Sequence, residues 1–279
     1  MNDSLAWLDT EDGRLAYRDT GGGQPLVLLH GGFIDHHMWD DQIHALASLY
    51  RVIAPDARGH GASANASKPF RPADDVAALL RHLGAGPAVV AGVSMGAGTA
   101  VDIALEHPDL VRALAVSGAG TSEPEFTDPW TIQVRREWYS AMAAADLEGA
   151  IDAFSLFAAG PHRGLCSVDP GVVRRIREMA RRTMTKHTAG EPDHLIPVAS
   201  TWERAAKITA PLLAIHGDLD ASDHIAMAER LARTVVHGST TTINGVAHYP
   251  NMEQPAAYNA TLTGFLRDLA AHPDPRDLR

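Results

Sequence analysis

Ser94 lies in the run Gly92-Val93-Ser94-Met95-Gly96, between an apolar stretch (Ala88-Val89-Val90-Ala91) and a helical one (Ala97 to Glu106). Glycines around a serine at a strand-to-helix turn permit a bend tight enough to lift the hydroxyl clear of the backbone. A serine hydroxyl is a weak nucleophile alone and needs a base, oriented in turn by an acid. Two downstream loops offer them: His216-Gly217-Asp218-Leu219-Asp220 and Asn244-Gly245-Val246-Ala247-His248. In the order Ser94, Asp220, His248, the imidazole takes the serine proton during attack on a carbonyl. The carboxylate then holds the other ring nitrogen and stabilises the imidazolium. Asp218 is an alternative acid two residues away. Asp223 is a third, better suited to the start of the following helix, where a carboxylate complements the dipole. The plainer alternative for Ser94 is a helix N-cap.

Residues so far apart in the chain meet only if the fold brings their loops to one edge. The first half alternates short apolar strands (Leu26–Leu29, Arg51–Ala54, Ala88–Val93, Ala113–Val116) with helical stretches at Trp39–Leu49 and Arg71–Leu83. Short, mostly non-alternating apolar strands between helices indicate a parallel sheet covered on both faces. Leu5–Leu8 and Arg14–Asp19 read as an antiparallel hairpin at one edge. From Thr121 to Ile208 no strand is expected, only helices near Asp128–Ala145, Leu147–Ala159, Pro170–His187 and Pro197–Lys207. Alternation then resumes with a strand at Pro211–Ile215, a helix at Ser222–Arg233, a strand at Thr240–Ile243 and a helix at Pro255–Ala270. The expected organisation is an α/β core, residues 1–120 and 209–279, interrupted by a helical cap, residues 121–208. Such a cap lies over the carboxyl ends of the strands, where open α/β sheets bind ligands.

His30-Gly31-Gly32-Phe33, Asp56-Ala57-Arg58-Gly59-His60-Gly61-Ala62-Ser63, Gly92 to Gly96, Gly217-Asp218-Leu219-Asp220 and His248 occur in one order over nearly the whole chain. In this the chain resembles the α/β-hydrolase superfamily. Within it, the pattern is most similar to small bacterial esterases, 3-oxoadipate enol-lactone hydrolases and cofactor-free haloperoxidase-type perhydrolases. One donor to a developing oxyanion is the Met95 N–H, directly after the nucleophile. The resemblance implies the Phe33 N–H as the other, with Gly31 and Gly32 letting that backbone approach the substrate. Asp220 falls at the acid of the superfamily's G-x-x-D pattern. Gly32, Trp130 and Trp138 are assigned to substrate contact, the two tryptophans from the cap.

The leading expectation is a serine hydrolase for an ester or lactone of small to medium, largely apolar character. A carbon–carbon bond hydrolase or a perhydrolase would use the same triad, and a ligand sensor on this fold is the non-enzyme alternative. A nicotinamide-binding domain is disfavoured, because Gly96-Ala97-Gly98 is followed by Val101 where the fingerprint wants a small residue. Neither cofactor nor metal is expected; His30, His36 and His37 have no recognised metal spacing.

His36 and His37 are expected to be solvated loop residues. His30, Arg58, His60 and His216 are expected to brace or pack. The arginines at 174, 175, 177, 181 and 182 are read as a solvated helix face. At 279 residues and a formal net charge of −10, the chain is a poor match for phosphate backbones, so no nucleic-acid partner is expected. The single Cys166 excludes an internal disulfide. With no apolar run of membrane length and no basic-then-apolar start, the expectation is a cytoplasmic protein with a small-molecule substrate and no membrane partner. Homo-oligomerisation is left open. The proline-broken end from His272 reads as a loose tail.

Overall fold

Leu26 to Leu29 carry no polar side chain, and period-two alternation sends Leu26 and Leu28 to one face and Val27 and Leu29 to the other. All four are buried, so both faces of their strand must be covered. The computed structural model, which describes residues 4–188 and 190–271, provides that cover with helices. The expected tail from His272 and the first three residues lie outside the described residues.

The chain opens with a hairpin, β1 (Ala6–Thr10) and β2 (Gly13–Thr20), followed by β3 (Pro25–Leu29). A 3₁₀ turn at His36–Trp39 leads into α1 (Asp40–Leu46), so the helix expected from Trp39 ends three residues early. Next come β4 (Arg51–Pro55), α2 (Pro72–Leu83), β5 (Ala88–Val93), α3 (Met95–Glu106) and β6 (Val111–Ser117). The bounds of α2 follow from its sequence. Pro72 occupies the first turn, where its missing N–H costs nothing, and Gly84 ends the helix in the left-handed conformation at φ 56°.

Between β6 and the next strand lie α4 (Pro129–Ala143), α5 (Leu147–Ser155), α6 (Pro170–Met184) and the one-turn α7 (Thr201–Arg204). Asp128, Asp146 and Asp169 cap α4, α5 and α6 by accepting first-turn N–H groups. The helix expected at Pro197–Lys207 is only α7 with a 3₁₀ turn at Ala205–Lys207, because Ser200 enters at φ 55° and starts it late. An isolated bridge, Phe70 to Leu195, is the only pairing this region makes among the described residues.

The chain closes with β7 (Leu212–Gly217), α8 (Ser222–Thr234), β8 (Gly238–Ile243), α9 (Pro250–Glu253) and α10 (Pro255–Ala271). The eight strands form one sheet in the order β1-β2-β4-β3-β5-β6-β7-β8. Pairings β1–β2 and β2–β4 are antiparallel, and the remainder are parallel. The parallel strands β5, β7 and β8 therefore release their loops at the same edge.

Apolar residues of α2, α3 and α8 form the core on one face of the sheet. On the other face, residues of α1 and α10 join residues of α4, α5 and α6 in a second core. Each buried Leu or Ile contributes on the order of 1.5–3 kcal/mol.

Candidate active site

The turn after β5 is held by contacts that exclude side chains. A Cβ on Gly92 would lie 2.3 Å from the Gly96 carbonyl oxygen, and one on Gly96 would lie 2.2 Å from that of Leu29. Only glycine fits at either position. Between them Ser94 adopts φ 55°, ψ −115°, a conformation that non-glycine residues hold only when their surroundings impose it. Its N–H donates to the Ser117 carbonyl at 2.8 Å, anchoring the turn to the end of β6. Ser94 makes no side-chain capping bond to α3, so the plain N-cap alternative does not describe it.

After β7, Asp220 is buried with both carboxylate oxygens engaged. Oδ2 lies 2.9 Å from His248 Nδ1. Oδ1 accepts from the Ala221 N–H at 2.8 Å and lies 2.9 Å from Nδ1 of His224. Burial alone would raise the Asp220 pKa. The two histidines outweigh it and hold the carboxyl well below its ordinary value. Burial lowers the pKa of His248, Asp220 pulls the other way and His224 adds to the lowering; the net direction is down. His248 is therefore a neutral imidazole near pH 7, with Nδ1–H on Asp220 and Nε2 free to accept a proton.

The His248 ring lies against Gly118, where a Cβ would come within 2.6 Å of Cε1. That places it one residue from the carbonyl that anchors Ser94. Among the described residues no hydrogen bond joins the Ser94 hydroxyl to His248, although both line one cavity. Such bonds are often long without substrate and tighten when it binds.

Asp218 is turned elsewhere and accepts the Gly245 N–H at 2.6 Å. Asp223 accepts the N–H groups of Thr127 and Asp128 and the Thr127 hydroxyl, tying α8 to the loop before α4. His224 is the residue that sequence reasoning missed. Its signal was the i, i+4 spacing from Asp220, which stands just before the cap of α8 while His224 stands in the first turn.

The cavity has a volume of about 440 Å³, within the range of small-molecule sites. Gly32, Phe33, Ser94, Met95 and His248 line it from the sheet side, and Trp138, Tyr139, Phe154 and Phe157 from the helices above. Phe33 sits at φ 58°, with its ring edge-on to Trp138 at 4.6 Å. Met95 is the first residue of α3, so its N–H has no acceptor within the helix. Trp130, expected at the substrate, does not line the cavity. It stands behind Phe157, rings 5.7 Å apart, because its helical phase differs from that of Trp138.

His30 Nε2 accepts the Ala57 N–H at 2.9 Å and Nδ1 donates to the Gly31 carbonyl at 2.7 Å, bracing the two loops as expected. Arg58 pairs with Asp75 through two bonds of 2.9 and 2.8 Å. His36 is not solvated; it is buried, with Nδ1 2.8 Å from Asp56, a partner twenty positions away. His37 is half-exposed and paired with Asp35, which Arg182 also reaches. The arginine face of α6 is likewise paired, through Arg175 to Asp41, Arg177 to Asp152 and Arg181 to Glu148.

Among the described residues, two groups converge closely enough to chelate a cation: Asp35, His36 and His37, and Asp220, His224 and His248. In the second, an ion would compete with the hydrogen bonds that orient His248, so the donor set suits the imidazole–carboxylate pair better than a resident metal.

A family model described as the alpha/beta hydrolase fold matches residues 24–255. The chain is 25% identical to 3-oxoadipate enol-lactonase 2 of Acinetobacter baylyi over 93% of its own length and 96% of the relative's. It is 26% identical to a non-heme haloperoxidase of Rhodococcus erythropolis, with 94% and 99% covered. Among solved structures, a thermophilic esterase from Thermogutta terrifontis superposes with a TM-score of 0.75 at 26% identity, covering 95% of this chain and 99% of that one.

Proposed function

This chain belongs to the α/β-hydrolase family of enzymes, and from that premise we propose that it cleaves a carboxylic ester or lactone through Ser94, His248 and Asp220. The observation that carries the reading is the Asp220–His248 bond of 2.9 Å, which orients a histidine that lines the same cavity as Ser94 in its strained turn.

The steps follow from the groups present. His248 Nε2 takes the Ser94 proton as Oγ attacks the acyl carbon. The resulting imidazolium is stabilised by the ionised Asp220. Charge developing on the carbonyl oxygen is met by the N–H groups of Met95 and Phe33, both fixed before substrate arrives. Collapse of the tetrahedral intermediate expels the alkoxide, which His248 protonates. Water, deprotonated by the same nitrogen, then attacks the acyl-enzyme and releases the acid. Gly32 and Trp138 contact the substrate, and the aromatic ceiling favours a largely apolar acyl or alcohol part.

A perhydrolase would run the same acyl-enzyme with peroxide in place of water, and the similarity to a non-heme haloperoxidase favours this as the second reading. Labelling by a fluorophosphonate probe tests the nucleophile. The wild-type protein is expected to be labelled, and Ser94→Ala to remain folded and unlabelled. Labelling that survives in Ser94→Ala removes Ser94 from the mechanism. Hydrolysis of nitrophenyl acetate with and without added peroxide then separates the two readings.

A further inference from the structure

Five aspartates are buried among the described residues: Asp35, Asp56, Asp102, Asp220 and Asp223. Four are satisfied by histidines, an arginine or backbone N–H groups. Asp35 takes His37 and Arg182, and Asp56 takes His36 and the Ala62 N–H. Asp220 and Asp223 have the partners described above. Asp102 differs. Its Oδ1 accepts from the Ser122 hydroxyl at 2.7 Å, and its Oδ2 accepts from nothing among the described residues. The residue is 6% exposed, and it lines the cavity that also contains Ser94. Burying a carboxylate without a cation is costly, and a wall of the substrate cavity is where a ligand can supply the missing partner.

We propose that Asp102 and Ser122 form a subsite for the cationic end of a substrate, a protonated amine. The subsite rests on the ester or lactone reading above and deepens it by assigning a charge to one end of the substrate. Asp102 lies about two turns along α3 from Ser94, roughly 12 Å along the helix axis. A substrate spanning both would therefore place a basic group several bonds from the acyl carbon. An ammonium donates to Oδ2 while the Ser122 hydroxyl keeps Oδ1, giving a charge-assisted bond at the cavity wall. A carboxylate in the same place meets repulsion and no donor.

The surroundings agree. Burial raises the Asp102 pKa to about 7; the charges of Glu106 and Glu123 add to this, while Ser122 and Arg204 oppose it. Arg71 and Arg204 are taken by Glu106, and neither hydrogen-bonds Asp102. Arg135 of α4 lines the cavity but is engaged over the Phe126 ring at 4.2 Å and with the Tyr139 hydroxyl at 3.0 Å.

Calorimetric binding of octylammonium, octanol and octanoate to the full chain tests this without requiring turnover. At about pH 8, octylammonium is expected to bind at least roughly tenfold more tightly than octanoate. Its affinity should fall by up to about tenfold at pH 6, as Asp102 takes up a proton. Asp102→Asn should abolish the ammonium preference and leave octanol within about threefold. If that variant does not fold, the wild-type pH dependence still decides. Equal binding of octylammonium and octanoate, or a preference that survives in Asp102→Asn, overturns the subsite. Fluorophosphonate labelling run in parallel separates the two readings: its absence counts against Ser94 alone, and protection by octylammonium places the amine in the same cavity.

Discussion

Asp220 is shared between two imidazoles, and that sharing sets how the site responds to pH. In the proposed mechanism activity requires neutral His248, whose pKa burial and His224 both lower against the pull of Asp220. A depressed base remains competent further into acid, so the acid limb of kcat/KM should fall below the ordinary histidine value of about 6.5. His224→Phe keeps a ring between Phe126 and Phe157 but removes both the donor to Asp220 and one of the groups that lower His248. The limb should then move to higher pH, and plateau kcat should fall by about tenfold as Asp220 loses a hydrogen bond. A purely structural role for His224 would change the amount of folded protein and leave the limb in place. A pH–rate profile of the two proteins, normalised to labelled Ser94, distinguishes these outcomes.

At the scale of elements, the β5–α3 turn depends on two missing side chains. Gly96→Ala places a methyl group 2.2 Å from the Leu29 carbonyl oxygen, so β3 or α3 must shift. Overpacking of this kind costs about 1–3 kcal/mol, and urea denaturation should show at least that loss. Loss of fluorophosphonate labelling should exceed what the folded fraction explains, because Ser94 no longer holds its strained conformation. A stability unchanged within about 0.5 kcal/mol would mean that the turn yields freely.

This turn was legible in the sequence because its determinants are local: glycine spacing, an apolar strand before it and a helix after it. The bounds of α2 were legible for the same reason, through Pro72 and Gly84. Asp220 and His248 were placed by order, since parallel strands deliver their loops to one edge. What escaped was set by partners distant in the chain. His36 is buried because Asp56, on another loop, receives it. Trp130 faces Phe157 rather than the cavity because the packing of α4 on α5 fixes its phase. His224 was visible as a residue of the expected Ser222–Arg233 helix, yet nothing local to it says that both Asp220 oxygens face imidazoles.

For the molecule as a whole, the question is whether the helices between β6 and β7 stand apart from the sheet. The expected cap, residues 121–208, shares apolar contacts with the sheet. Trp138, Phe154, Ile176 and Met179 belong to the same buried cluster as Leu28, Val93 and Ile215 of the sheet. Arg163 extends the connection by donating to the Gly245 carbonyl at 3.0 Å and pairing with Glu253, whose other oxygen accepts the Ala247 N–H at 2.8 Å. The loop carrying His248 is thereby held by the helical block as well as by β8. Chains of this size often unfold in stages, but a stage needs a boundary across which few contacts are lost. Removing the block here would expose the apolar residues that it shares with the sheet and free the loop of His248 from Arg163. We therefore expect one urea transition, with far-ultraviolet circular dichroism and tryptophan fluorescence superimposing, since Trp39 lies under the sheet and Trp138 in the block. Hydrolase activity should disappear over the same range. A fluorescence change that precedes the loss of circular dichroism, with labelling of Ser94 retained, would instead show the block opening as a unit of its own, bounded near residues 121 and 208.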